Sequence, residues 1–432
     1  MKYYNLGDRK HSVSFGKAVI EGIAPDRSLY FPERIPKLDQ KTIEQLEHIE
    51  LIDVATGLMS QFAAPELSYS EIRAILEKTL DFEFPLQPIG DFYSLELFHG
   101  PTLAFKDVGA RFMAQSLGIL AQKQGWKTTT TVLVATSGDT GGAVANGFLG
   151  VEGIEVVILY PEGKVSEVQE LQMTTLGNNI TALAVQGNFD DCQLMVKKAF
   201  VDTDITKLRR LTSANSINVA RWLPQMLYYI AAYQNLRTLG DKRLPVFSVP
   251  SGNFGNICAG LMARSIGLPV SRFIAATNVN DTVVRFLNDM GYQPNPTVPT
   301  LSNAMDVSDP SNFVRIEELF KNNSLSGVLS AYRFDDNETL EAIRELFSNY
   351  NYLADPHGAI GYLGLKSGQI NPETEAGIFL ETAHPVKFDN AVNQAIQQSI
   401  PVPKSIASLY GKKKLNQKIG SYSELKELLS SN

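Results

Sequence analysis

The chain has 432 residues, 44% hydrophobic and 20% charged, and its 39 basic against 46 acidic side chains leave a formal charge of −7. That balance is ordinary for a globular protein large enough for two or three domains, and no basic run has the footprint of a nucleic-acid or membrane-surface binder. Two cysteines, Cys192 and Cys258, make neither a disulfide framework nor a ligand cluster, and the five histidines lack paired-ligand spacing, so no metal site is expected.

The opening MKYYNLGDRK has no continuous apolar stretch of the signal-peptide kind and no segment approaches a membrane span, so a cytoplasmic protein is expected. Residues 1–90 read as a separate small unit. A helix is predicted over 13–23, an extended aromatic stretch over 29–33, and helical periodicity over 41–48, 52–61 and 70–81, with Pro85 and Pro88 marking the boundary. From there strands and helices alternate. Helices are predicted over 108–124, 143–149, 165–176, 190–201, 218–239, 257–266, 339–349, 357–366 and 389–398. Continuously apolar strands are predicted over 130–136, 156–160, 180–185, 244–249, 272–277 and 377–381. This pattern gives an α/β fold with two open, mostly parallel sheets covered by helices on both faces. The expected division is a smaller α/β domain over 91–215 and a larger one over 216–432. A Pro-, Asn- and Ser-rich loop or insertion falls at 290–340, and a terminal surface helix at 421–429.

Four stretches carry chemistry. In HGPTLAFKD (99–107), Lys106 stands among small and apolar residues, and an apolar pocket favours the neutral amine that attacks an aldehyde. The same pattern is also how a snorkelling surface lysine looks. Two short Gly-rich turns, Ser251-Gly252-Asn253-Phe254-Gly255-Asn256 and Ser137-Gly138-Asp139-Thr140, each run from a buried strand into a helix. Free N–H groups and the helix dipole at such a junction make an anion cradle. The first lacks both the nucleotide P-loop and the dinucleotide pattern, and reads either as a phosphate cradle or as an ordinary tight strand-to-helix turn. The second offers N–H groups and two hydroxyls for a carboxylate, although Thr140 could equally be a plain N-cap. ETAHPVKF (381–388) falls at the carboxyl end of a late strand, the edge at which open α/β sheets bind ligands, and places the Thr382 hydroxyl there, either to meet a heterocyclic ring nitrogen or simply to cap the following turn.

Together, HGPTLAFKD, TSGDTG, SGNFGN and ETAHPVKF, in that order, resemble the threonine synthase family, pyridoxal-phosphate enzymes of the tryptophan-synthase β-subunit-like fold (fold type II). The opening VSFGKAVIEGIAPDRSLYFPE resembles that family's small N-terminal domain. DPHGAIGY (355–362) has glycine at 358 where threonine is often expected. The resemblance implies that Lys106 forms the Schiff base with pyridoxal 5'-phosphate. It implies that Gly252, Asn253, Phe254, Gly255 and Asn256 hold the cofactor phosphate and that Thr382 meets the pyridine nitrogen. Asp139 would face the phenolic oxygen, where it must be protonated or paired because two bare anions repel. Ser137, Gly138 and Thr140 would take the substrate carboxylate. The implied reaction turns O-phospho-L-homoserine and water into L-threonine and phosphate. Candidates for the substrate phosphate are Lys387, Arg111, His99 and Thr102, Arg111 being equally readable as half of a helix-surface ion pair. A small-molecule substrate, no nucleic acid, no membrane, and a monomer or homodimer are expected. The alternatives are a phospho-lyase that releases 2-oxobutyrate, and a non-catalytic ligand-binding homologue.

Overall fold

A computed structural model describes residues 1–126 and 129–431. Strands β1 (Lys2–Asn5), β2 (Ser12–Ser14) and β3 (Tyr30–Pro32) form a small antiparallel sheet in the order β2-β1-β3. The helix expected over 13–23 shortens to Phe15–Glu21, because Ser14 is its N-cap and Val13 belongs to β2. Helices Leu51–Ala63 and Tyr69–Thr79 follow, the second opened by a Ser68/Glu71 capping box.

Strands β4 (Leu86–Ile89) and β5 (Phe92–Glu96) lead, through the HGPTLAF loop, into the helix Lys106–Lys123. The remaining strands are β6 (Thr130–Ala135), β7 (Ile154–Pro161), β8 (Ile180–Val185), β9 (Arg210–Thr212), β10 (Leu244–Pro250), β11 (Arg272–Thr277), β12 (Leu329–Arg333), β13 (Glu375–Glu381) and β14 (Asn416–Ile419). They make two sheets, β12-β11-β10-β13-β5-β4 and β14-β8-β7-β6-β9, parallel throughout except for β4. All six residues of β6 are buried, as are the last six of β10, which is why these strands read as unbroken apolar runs.

The structure corrects several expectations. β5 pairs with β13 in the six-stranded sheet, and β14 pairs with β8 in the five-stranded one, so strands from both sides of residue 215 share each sheet. The long helix expected over 218–239 is broken. Val219–Trp222 passes through a 3-10 turn at Leu223–Gln225 into Met226–Thr238, since Pro224 has no N–H to give. The region 290–340 is irregular only to about residue 312, after which helix Phe313–Phe320 and edge strand β12 appear. The terminal helix, Tyr422–Ser430, is not simply superficial, because Leu425 and Leu429 are buried. Cys192 and Cys258 are free thiols buried in helices.

Candidate functional site

All four motifs lie at carboxyl ends of parallel strands. β5 runs into the lysine loop, β6 into Ser137–Thr140, β10 into Ser251–Phe254, and β13 into Thr382. The lysine loop and the segment after β13 are bound to each other through the backbone. Phe105 N–H donates to Thr382 O at 2.9 Å and His384 N–H to Leu103 O at 3.0 Å, around a bridge between Ala104 and Ala383. Lys106 and Thr382 are therefore neighbours by construction. Lys106 begins its helix with Nζ 5.8 Å from the Phe105 ring centroid and, among the described residues, no hydrogen-bond partner. Burial pulls its pKa down. The Asp139 charge opposes this, and the charges of Lys387 and Arg221 add to it.

Asp139 starts the helix Asp139–Phe148 behind Gly138, so Thr140 is not its N-cap. Its Oδ1 accepts from Gln169 Nε2 at 3.0 Å and lies 2.9 Å from Lys387 Nζ. Burial alone would push this carboxyl up, but the Lys387 and Lys106 charges and the two hydrogen bonds hold it well below the usual range. The pairing demanded by the sequence thus exists, and it accounts for Lys387. That ammonium is fully buried and its other donors go to Thr102 O at 2.8 Å and Gln172 Oε1 at 3.0 Å. It has no donor left for a substrate phosphate.

The other phosphate candidates are also engaged. Thr102 is buried, with its N–H and its hydroxyl both given to the Asp107 carboxylate. Arg111 makes a two-pronged pair with Asp81, the bland alternative foreseen for it. His99 Nε2 is 2.7 Å from Glu96 Oε2, its ring against Phe98. The hydroxyls of Ser137 and Thr140, by contrast, are half-buried and unengaged among the described residues.

The glycine turn after β10 has the shape of a cradle. A Cβ on Gly252 would sit 2.6 Å from Met305 Cα, and Phe254 adopts φ 57°, a left-handed conformation that opens the helix Gly255–Ser265. Asn256 Oδ1 accepts from Tyr229 OH at 2.8 Å, and its buried Nδ2 has no partner among the described residues.

Three family models cover the chain: "Threonine synthase N terminus" over residues 2–80, "Pyridoxal-phosphate dependent enzyme" over 89–380, and "Threonine synthase, C-terminal" over 359–428. The chain belongs to the threonine synthase family. A threonine synthase of Serratia marcescens is 45% identical over 409 residues, 94% of each chain. The crystal structure of the Escherichia coli threonine synthase superposes with a TM-score of 0.92 at 42% identity, covering all of both chains. The pyridoxal-phosphate-bound threonine synthase of Brucella melitensis gives 0.93 at 32% identity, covering 100% of this chain and 99% of that one. The fold is accordingly that of a type II pyridoxal-phosphate enzyme, and pyridoxal phosphate is the cofactor of this threonine synthase family member. The residues present fit it. An unpartnered amine, a cradle closed to side chains and an orphaned buried amide donor are the features an aldehyde bearing a phosphate would satisfy.

The sequence reading overlooked one residue. Arg221 is buried, donates Nη1 to Ala214 O, leaves Nε without a partner, and has no carboxylate in ion-pair range among the described residues. Burial lowers its pKa to about 10, so the guanidinium remains charged at neutral pH. A Cβ on Gly109 would lie 2.6 Å from Arg221 O, so that glycine lets the arginine's short helix press against the lysine helix. The overlooked signal is an arginine in a stretch without any acidic residue between Asp204 and Asp241.

Proposed function

We propose that this site makes L-threonine and phosphate from O-phospho-L-homoserine and water, with Lys106 as the Schiff-base and proton-transfer residue and Arg221 as the receptor of the substrate phosphate. The observation that carries the reading is the backbone pairing of the Lys106 loop with the Thr382 segment beside a buried, unpaired arginine. Gly252, Asn253, Phe254, Gly255 and Asn256 would hold the cofactor phosphate. Thr382 would meet the ring nitrogen as a neutral hydroxyl. Asp139, charge-balanced by Lys387, would stand by the phenolic oxygen. Ser137, Gly138 and Thr140 would take the substrate carboxylate at the helix start, through the Ser137 and Thr140 hydroxyls and N–H groups, the Gly138 N–H being given to Thr136 Oγ1 at 2.9 Å.

Bound pyridoxal phosphate supplies an electron sink that acidifies the substrate at Cα. The reaction balances simply: Cα gives up and regains a proton, Cβ loses a hydrogen and gains a hydroxyl, and Cγ loses phosphate and gains a hydrogen. Lys106, its basicity trimmed by burial, would take the Cα proton and serve Cβ as well. Arg221 holds charge where the phosphate leaves, in a site dry enough to strengthen the contact. The free buried thiols support a reducing, cytoplasmic setting, and the enzyme works there as a monomer or homodimer.

Borohydride reduction of the holoenzyme is expected to fix the cofactor on Lys106 alone. Arg221→Met is expected to lower kcat/KM for O-phospho-L-homoserine by about 100-fold, the scale of a lost charge-assisted contact, with cofactor affinity unchanged. Label on another lysine, or wild-type kinetics in the arginine variant, overturns the corresponding assignment.

A further inference from the structure

Arg315 lies in the helix Phe313–Phe320, fully buried, with no carboxylate in ion-pair range among the described residues. It spends its donors on groups from three parts of the chain. Nε and Nη2 donate to Tyr30 O of β3 at 3.2 and 3.0 Å, Nη2 also to Ile217 O at 2.6 Å, and Nη1 to Asn312 Oδ1 at 2.8 Å. Its guanidinium carbon is 4.4 Å from the Trp222 ring centroid, on the short helix that carries Arg221.

The contact with Asn312 has a directional effect. An amide has one acceptor end and one donor end, and a guanidinium can only donate. Arg315 therefore fixes the Asn312 oxygen toward itself and turns Nδ2 the other way, where it donates to Asn253 O at 3.1 Å. The carbonyl of Asn253 and the N–H of Phe254 belong to one planar trans peptide and point in opposite directions. Pinning the carbonyl aims that N–H. The same loop is held by Ser311 N–H on Asn253 Oδ1 and by Asn253 Nδ2 on Ser216 Oγ, both at 2.6 Å.

We propose that Arg315 is a positioning residue for cofactor phosphate, setting through Asn312 the orientation of the Asn253–Phe254 peptide and tying it to the N-terminal sheet. The small N-terminal unit, joined to the glycine loop by this relay of hydrogen bonds, thereby takes part in cofactor binding. The proposal rests on the reading of Ser251–Asn256 as the phosphate cradle.

The test compares binding of pyridoxal phosphate and of pyridoxal, which lacks the phosphate, to apo-protein. The ratio of the two dissociation constants isolates the phosphate contribution, which a general loss of stability would not change selectively. Asn312→Ala breaks the relay without adding charge. It is expected to shrink that ratio by about tenfold, the scale of one charge-assisted hydrogen bond, leaving pyridoxal affinity unchanged. Arg315→Met is expected to do the same, and if that variant does not fold, Asn312→Ala decides alone. Gly252→Val is the control on the cradle. If it leaves the ratio at the wild-type value, the cradle assignment falls. If it shrinks the ratio while Asn312→Ala does not, the cradle stands and the role of Arg315 is overturned.

Discussion

Asp139 keeps a negative charge near Lys106, and Lys387 makes that possible by meeting Asp139, Thr102 and Gln172 with its three donors. A buried carboxylate stripped of its cation is costly. Lys387→Met is expected to destabilise the apo-protein by about 3–5 kcal/mol, and Asp139→Asn combined with it by less, as read in denaturant titrations. The acid limb follows from the direction of the Asp139 shift. Its folded pKa lies below the unfolded value, so the stabilisation is complete above the ordinary carboxylate range and fades as pH falls from there. The stability gap between the wild-type protein and Asp139→Asn should stay level from pH 7 to about 4 and close only below it. At this scale the sequence was partly legible. Lys106, Thr382 and the glycine turn announce themselves by residue type and by position after a strand. Whether a lysine or an arginine is free is a property of its spatial neighbours. That is why Lys387 and Arg111 looked available, whereas Arg221, a buried cation with no carboxylate partner among the described residues, passed unseen.

Elements were legible where hydrophobic periodicity ran long. The buried strands β6, β8, β10 and β11 fall within a residue or so of expectation, because two covered faces demand apolar side chains throughout. The short edge strands β4, β12 and β14 were missed, since an edge needs only one partner and carries polar residues such as Gln87, Ser330 and Lys418. One departure from the family pattern gains a physical reason here. Asp355 caps the helix Pro356–Ser367, and the buried Glu381 carboxyl, accepting from Asp355 N–H, occupies the space a side chain at Gly358 would need. Burial, followed by the Asp355 charge, pushes the Glu381 pKa well up, and the buried carboxyl cannot move aside without disturbing the end of β13. Gly358→Ala is expected to cost about 1–3 kcal/mol in thermal or chemical unfolding, the usual scale of overpacking.

Across the whole molecule, the larger departure from expectation is that neither sheet is made from one continuous run of chain. β5 leaves the five-stranded half to lie against β13, and β14 returns to it from the far end of the sequence. Pro85 and Pro88 mark a local break in the chain, but pairing between distant segments leaves no local signal. The last elements contribute directly to stability: Ile419, Leu425 and Leu429 are buried, and Lys426 pairs with both Asp202 and Asp204. Ending the chain after Lys414 should remove at least about 4–5 kcal/mol, taking ~1.5 kcal/mol per aliphatic side chain, and bring concentration-dependent light scattering as β8 becomes an edge. The return of β14 also sets an order of events on the ribosome. β8 is synthesised long before residues 416–419, so at the usual rate of about 5–20 residues per second its outer row of peptide groups stands open for roughly ten to fifty seconds. During that interval the nascent chain exposes the surface a second nascent chain could pair with, and its own tail is what closes it.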